Sequence, residues 1–167
     1  MKFKFDANQD FQVNAINSIV DVFEGQPKRQ SIVVNVPTLS LSGTLPLQTA
    51  YGIYPNELTL SDEEVFSNVR KIQEQNEIGN GGAVEEYDFS VEMETGTGKT
   101  YVYLRTIFEL NKQYGWKKFI ILVPSVAIRE GVIKTLQITK EHFSELYDNV
   151  PYRFYEYQSK NISQVKR

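Results

Sequence analysis

Cysteine is absent from this chain, which excludes disulfide frameworks, thiolate nucleophiles and Cys-based metal sites together and suits a reducing cytosol. Histidine occurs once, at His142, so no cluster of imidazole ligands can form. Its polar setting, Lys-Glu-His-Phe-Ser-Glu, reads as a solvated helix position. Positive charge is not in excess either. Lys and Arg number 18 against 21 Asp and Glu, giving a net charge of −3 and a pI of about 5.3. No global field therefore draws the chain to nucleic acid, and any such contact must be local. No run approaches the roughly 18 apolar residues of a membrane span. The opening Met-Lys-Phe-Lys-Phe-Asp lacks the apolar stretch of a secretory signal, so the expectation is a cytoplasmic chain with no membrane contact. With 167 residues and 41% hydrophobic content, there is material for one cored domain, or one domain plus an appendage.

The richest segment is 89–100, Phe-Ser-Val-Glu-Met-Glu-Thr-Gly-Thr-Gly-Lys-Thr. A short apolar run breaks into a Gly-rich turn ending in Gly-Lys-Thr, and a helical pattern follows at once. Strand, glycine loop and helix in that order are the context of a phosphate-binding loop. Gly96 and Gly98 let the backbone take positive φ and approach a ligand closely. Successive N–H groups from Glu94, Thr95, Gly96, Thr97 and Gly98 onward can then face an anion, backed by the positive end of the next helix. In this pattern Lys99 reaches the β- and γ-phosphates of ATP, and the Thr100 hydroxyl ligates Mg²⁺. The general pattern places Gly six residues before the Lys, where this chain has Met93. That departure disfavours most kinases and GTPases.

Elsewhere the punctuation is local. Residues 8–24 show a helical stripe of Phe11, Ala15, Ile19 and Val22, stopped by Gly25. Pro27, Pro37, Pro46 and Pro55 break 26–60 into extended pieces such as Ser31–Val36. Ser61 and Glu64 form a capping box for a helix whose face is Val65, Val69 and Ile72, with Gly79 as its stop. Asn80-Gly81-Gly82 reads as a flexible joint. A helix over 99–114 ends at Gly115. Phe119–Val123 reads as a buried parallel strand, Ser125 caps a helix through about Leu136, a shorter helix covers 139–147, and Tyr152–Tyr157 is a strand. The order from Phe89 is strand, helix, strand, helix, strand. The fold class is thus α/β, with a partial parallel sheet flanked by helices and the loop at a strand's carboxyl end.

Three features in order resemble the first RecA-like domain of superfamily 2 helicases and translocases, within the P-loop NTPases. Phe11-Gln12 on an N-terminal helix looks like a Q-type motif. Glu94-Thr-Gly-Thr-Gly-Lys-Thr100 is similar to motif I, which in this superfamily commonly relaxes the position held here by Met93. Ile120-Ile-Leu-Val-Pro-Ser125 followed by Ala127-Ile128-Arg129-Glu130 is similar to motif Ia. The wording most resembles the Res subunits of type III restriction enzymes. The resemblance divides the chain into 1–25 with the Q-like motif, 26–88 as a family insertion or linker, and 89–167 as the first part of the ATP-binding domain. It implies a DNA-dependent ATPase that translocates along double-stranded DNA, coupled to a C-terminal nuclease and working with a methyltransferase subunit. A type I restriction motor or repair helicase is the nearest alternative. A P-loop kinase or small-molecule transferase and a non-catalytic partner-binding fragment are the others.

Gln12 admits two readings: an amide pairing with adenine N6 and N7, or a solvated helix residue. Ser125 fits both a contact to a DNA phosphate and ordinary N-capping. Arg129, one turn in, is either a phosphate ligand or a surface charge. The ten Tyr and ten Phe sit mostly at core or strand spacing, and none is assigned to base stacking.

After Val123 no apolar strand ends in Asp-Glu, the pair such an ATPase uses to hold the Mg²⁺ water shell and orient the attacking water. Asp62-Glu63-Glu64 precedes the loop and belongs to a helix cap. No Glu-x-Lys of a restriction nuclease occurs. The expectation is a truncated, N-terminal form that binds nucleotide without turning it over. ATP hydrolysis by this 167-residue chain should therefore stay at background with or without DNA. Turnover abolished by Lys99→Ala would contradict that expectation.

Overall fold

A central helix, α3 (Lys99–Tyr114), is apolar on two opposed faces, and three further helices pack on them. At roughly 100° per residue, Tyr101, Leu104 and Phe108 fall on one side of α3 and Val102, Leu110 and Tyr114 on the other. The computed structural model describes residues 5–28, 33–37, 47–51, 56–79 and 86–157. Within these, α1 (Asp10–Val20) lays Ile16 and Val20 on the Val102 face of α3. Helices α4 (Val126–Ile138) and α5 (Lys140–Leu146) bring Val132, Leu136 and Phe143 to the Leu104 face. Leu104 is 1% exposed, so Leu104→Ala would cost about 2–5 kcal/mol. Helix α2 (Asp62–Gln75) packs Val65 and Val69 on Val22, which lies in the 3₁₀ turn Asp21–Phe23 that continues α1.

Local signals behave as the chemistry dictates. The Ser61–Glu64 capping box forms, with the Ser61 N–H donating to Glu64 Oε2 at 2.8 Å. Gly115 ends α3 at φ +75°, and Gly25 follows the 3₁₀ turn at φ +94°. Two amide side chains then tie distant loops together. Gln26 donates to the Glu57 carbonyl and accepts from Thr59 N–H. Asn56 accepts from Lys117 N–H and donates to the Lys118 carbonyl.

Several expectations are corrected. The parallel sheet is not formed among the described residues: 89–93, 119–123 and 152–157 form no strand, and Ile120 and Leu122 are 88% and 90% exposed. A five-residue apolar run specifies extension, whereas a parallel strand exists only with hydrogen-bonding neighbours. The sheet present is antiparallel, β1 (Val33–Pro37) with β2 (Leu47–Tyr51), in register Val33↔Tyr51 to Pro37↔Leu47. It meets the extended piece expected near Ser31–Val36, whose first two residues lie outside the described set, as does the Asn80-Gly81-Gly82 joint.

The buried stripe of α1 is Gln12, Ile16 and Val20, one position round from the expected one, and Phe11 is 49% exposed. Docking on α3 chose that face, and hydropathy alone did not mark it. Helix α2 ends at Gln75, before Gly79, because Glu77 takes the left-handed position at φ +55°. The Ile78 N–H then reaches the Gln73 carbonyl and the Glu77 N–H the Glu74 carbonyl, a Schellman end without glycine.

His142 is half-buried and its Nε2 shares a 2.8 Å hydrogen bond with the Tyr101 hydroxyl. Burial, and then the nearby Arg105 guanidinium, hold it below its ordinary pKa of 6.5, against a smaller upward pull from Glu145. The folded chain thus binds fewer protons here than the unfolded chain just below pH 6.5, so this contribution to stability is lost as pH falls through that value. Urea unfolding at about pH 7.5 and 5.5 should show a smaller acid loss for His142→Gln than for the parent chain. Equal losses would remove His142 from the account.

Candidate functional site

The loop between Met93 and α3 turns on two glycines in the left-handed region, Gly96 and Gly98, both at φ +86°. Alternation of this kind is how successive N–H groups come to line one concave side. Gly98 is also the N-cap of α3, so the positive end of a 16-residue helix lies directly behind the turn. The Thr97 hydroxyl donates to the Glu94 carbonyl at 2.7 Å, closing the turn internally. The Lys99 ammonium donates to the Glu94 carbonyl at 2.8 Å and to the Met93 carbonyl. Its side chain is thereby folded back along the loop.

Those contacts explain the Met93 departure. The Met93 carbonyl serves Lys99, while its side chain packs against the α1–α3 cluster of Ile16, Val20 and Val102. A side chain is tolerated there because it is turned into the core. Glu94, Thr95, Gly96 and Lys99 are exposed, and Thr97, Gly98 and Thr100 are half-buried. Burial pushes the Tyr103 phenol up in pKa, and a hydrogen bond with the Thr100 side chain pulls it down.

Gln12 belongs to this constellation. It is 8% exposed, which removes the reading as a solvated helix residue, and its Nε2 donates to the Thr97 carbonyl at 2.8 Å. A Cβ at Gly98 would sit 2.7 Å from that nitrogen, whereas one at Gly96 would meet nothing within 4 Å. Sequence reasoning placed Gln12 near the ligand but missed the Thr97 and Met93 carbonyls. The available signal was a glutamine in helical register with Ile16 and Val20.

Ser125 and Arg129 make none of these contacts: Ser125 is the N-cap of α4 and Arg129 lies in its first turn, and α4 packs on the other face of α3 from α1. The Ser125 hydroxyl caps α4 by accepting the Ile128 N–H at 3.3 Å. Arg129 pairs with Glu156 Oε1 at 2.5 Å and with Glu130 Oε1 at 3.1 Å. Among the described residues no group of three or more His, Cys, Asp or Glu is placed to hold a metal, and no helix is long and apolar enough to cross a membrane.

The family model of the type III restriction enzyme res subunit matches residues 54–166. Among curated proteins, the EcoPI Res subunit of Escherichia phage P1 is 35% identical over 153 residues, covering 87% of this chain and 14% of that protein. The EcoP15I Res subunit of Escherichia coli is 42% identical over 96 residues, 54% of this chain and 10% of that protein. The StyLTI Res subunit of Salmonella typhimurium is 44% identical over 82 residues, 46% of this chain and 8% of that protein. The chain thus spans about a seventh, or less, of the relatives it matches.

The loop geometry is testable at its glycines. Gly96→Ala pays only for left-handed backbone, about 1–2 kcal/mol, while Gly98→Ala also displaces the Gln12 amide. Urea denaturation should show Gly98→Ala costing about 1 kcal/mol more than Gly96→Ala. The excess should vanish when Gln12→Ala is already present. Equal costs in the parent background would contradict the contact.

Proposed function

Because this chain belongs to the type III restriction enzyme Res subunit family, we propose that residues 93–100 are the triphosphate site of an ATP-dependent DNA translocase. Family membership implies a P-loop NTPase core of the RecA-like kind. The observation that carries the reading is the pair of left-handed glycines set against the N-terminus of α3, with Lys99 lying along the same loop. Amides from Thr95 to Thr100 take the β- and γ-phosphates, and Lys99 leaves the Met93 and Glu94 carbonyls to reach them. The donor set suits a hard cation: the Thr100 hydroxyl and phosphate oxygens are all-oxygen ligands for Mg²⁺. Mg²⁺ bound there would neutralise charge on the phosphates, and in this reading Gln12, beside the loop, pairs with adenine.

The rest of the reading concerns the whole subunit. In it, segments 89–93, 119–123 and 152–157 pair as parallel strands, which accounts for an apolar run with Ile120 and Leu122 in solvent. Residues 1–25, 26–88 and 89–167 then act as nucleotide-gripping helix, family insertion and first part of the ATPase domain. Ser125 and Arg129 touch strand phosphates at the start of α4, and for Arg129 a phosphate has to displace Glu156. The full-length protein is a cytoplasmic hydrolase that couples ATP turnover to movement along double-stranded DNA and to endonuclease cleavage, in company with a modification methyltransferase.

Calorimetric titration of the chain with Mg·ATP tests the site. Binding is expected, and Lys99→Ala should weaken it by about ten- to a hundredfold, the loss of a charge-assisted contact to phosphate. No heat from a folded sample, or unchanged affinity in the variant, refutes the proposal.

A further inference from the structure

We propose that Gln12 is a positioning residue for the loop itself, so that its loss weakens capture of any polyphosphate regardless of the base attached. The inference rests on the reading of residues 93–100 as a triphosphate site and deepens it.

Three observations carry it. Gln12 is more than nine-tenths buried, at 8% exposure, and its amide donates to a main-chain carbonyl 85 residues away in sequence. That carbonyl belongs to Thr97, between the two left-handed glycines. A trans peptide unit is planar, with its C=O and N–H pointing in opposite directions. Fixing the Thr97 carbonyl toward α1 therefore fixes the Gly98 N–H away from α1, as one of the donors a phosphate would use. Finally, the anchor is packed into the core. Ile16 and Val20 of α1 are 2% and 1% exposed in the cluster with Val102, Leu110 and Tyr114, and the Tyr114 hydroxyl bonds the Val20 carbonyl at 3.0 Å. Gly98 leaves the space the amide occupies, since a Cβ there would lie 2.7 Å from Gln12 Nε2.

This role differs from reading adenine. The amide nitrogen carries two hydrogens, and one is committed to Thr97. The other, with Oε1, remains for a base, so the roles are compatible but separable by a ligand that has no base.

The test is calorimetric titration of the full chain and of Gln12→Met and Gln12→Ala with Mg·ATP, Mg·GTP and Mg·tripolyphosphate. The expected result is a loss of about tenfold, similar for all three ligands in both variants. Val132→Ala, which loosens the packing of α4 on the opposite face of α3 and lies outside the cluster that holds Met93 and α1, serves as the structural control and should leave all three affinities near those of the parent. A loss confined to ATP makes Gln12 a base reader only and overturns the proposal. So does unchanged affinity for tripolyphosphate, or an equal loss in Val132→Ala. If the parent chain binds none of the three, the phosphate-site reading fails first, and this inference falls with it.

Discussion

The bond from Gln12 Nε2 to the Thr97 carbonyl joins the two parts of this molecule that matter most. One end sits on a helix locked by burial of Ile16 and Val20, and the other on a loop with no side-chain core of its own. A glycine loop free in solution would sample many conformations, because glycine gives up the most backbone entropy on ordering. Here its start is held by Met93 in the core, its crest by Gln12 and its end by the first turn of α3. Three points of attachment on one helix pair define the loop, so the α1–α3 contact is the frame from which the proposed phosphate site takes its shape.

The second face of α3 follows a different logic. Phe108 meets Phe143 tilted, Tyr147 stacked and Tyr152 edge to face, with ring centres 4.8, 5.1 and 5.2 Å apart. Tyr147 donates to Glu109 Oε1 at 2.7 Å and accepts from Arg105 Nε at 3.3 Å, so the polar tips of the aromatic layer are satisfied at its margin. This layer fixes α4 and α5, and with them Ser125 and Arg129. The chain is acidic overall, and Arg129 is held between Glu130 and Glu156. Neither observation describes a preformed basic surface around α4.

Features within four residues of one another were legible in the sequence. The Ser61–Glu64 box, the Gly115 stop, the Ser125 cap and the Gly-Thr-Gly-Lys-Thr turn each carry their own cause. Relations set by distant packing were not. Phe11 and Gln12 compete for one face of α1, and only the docking on α3 decides for Gln12. His142 stands among charged neighbours in sequence, yet meets Phe5 and Tyr101 in space, with ring centres 5.3 and 5.6 Å away. Phe119–Val123 reads as a strand, yet it has no strand partner among the described residues, because strand partners are not encoded in a strand. The family resemblance agrees with the family match over residues 54–166, which contains the Gly-Lys-Thr and Val-Pro-Ser segments; the Q-like segment lies outside it.

The most direct measurement is the backbone amide spectrum of the isotopically labelled chain before and after addition of Mg·ATP. The account predicts large shifts concentrated at the N–H groups of Gly96, Gly98, Lys99 and Thr100, with the amides of α4 and α5 left nearly in place. Shifts spread evenly over the chain, or none at these four residues on a sample that stays folded, would contradict it.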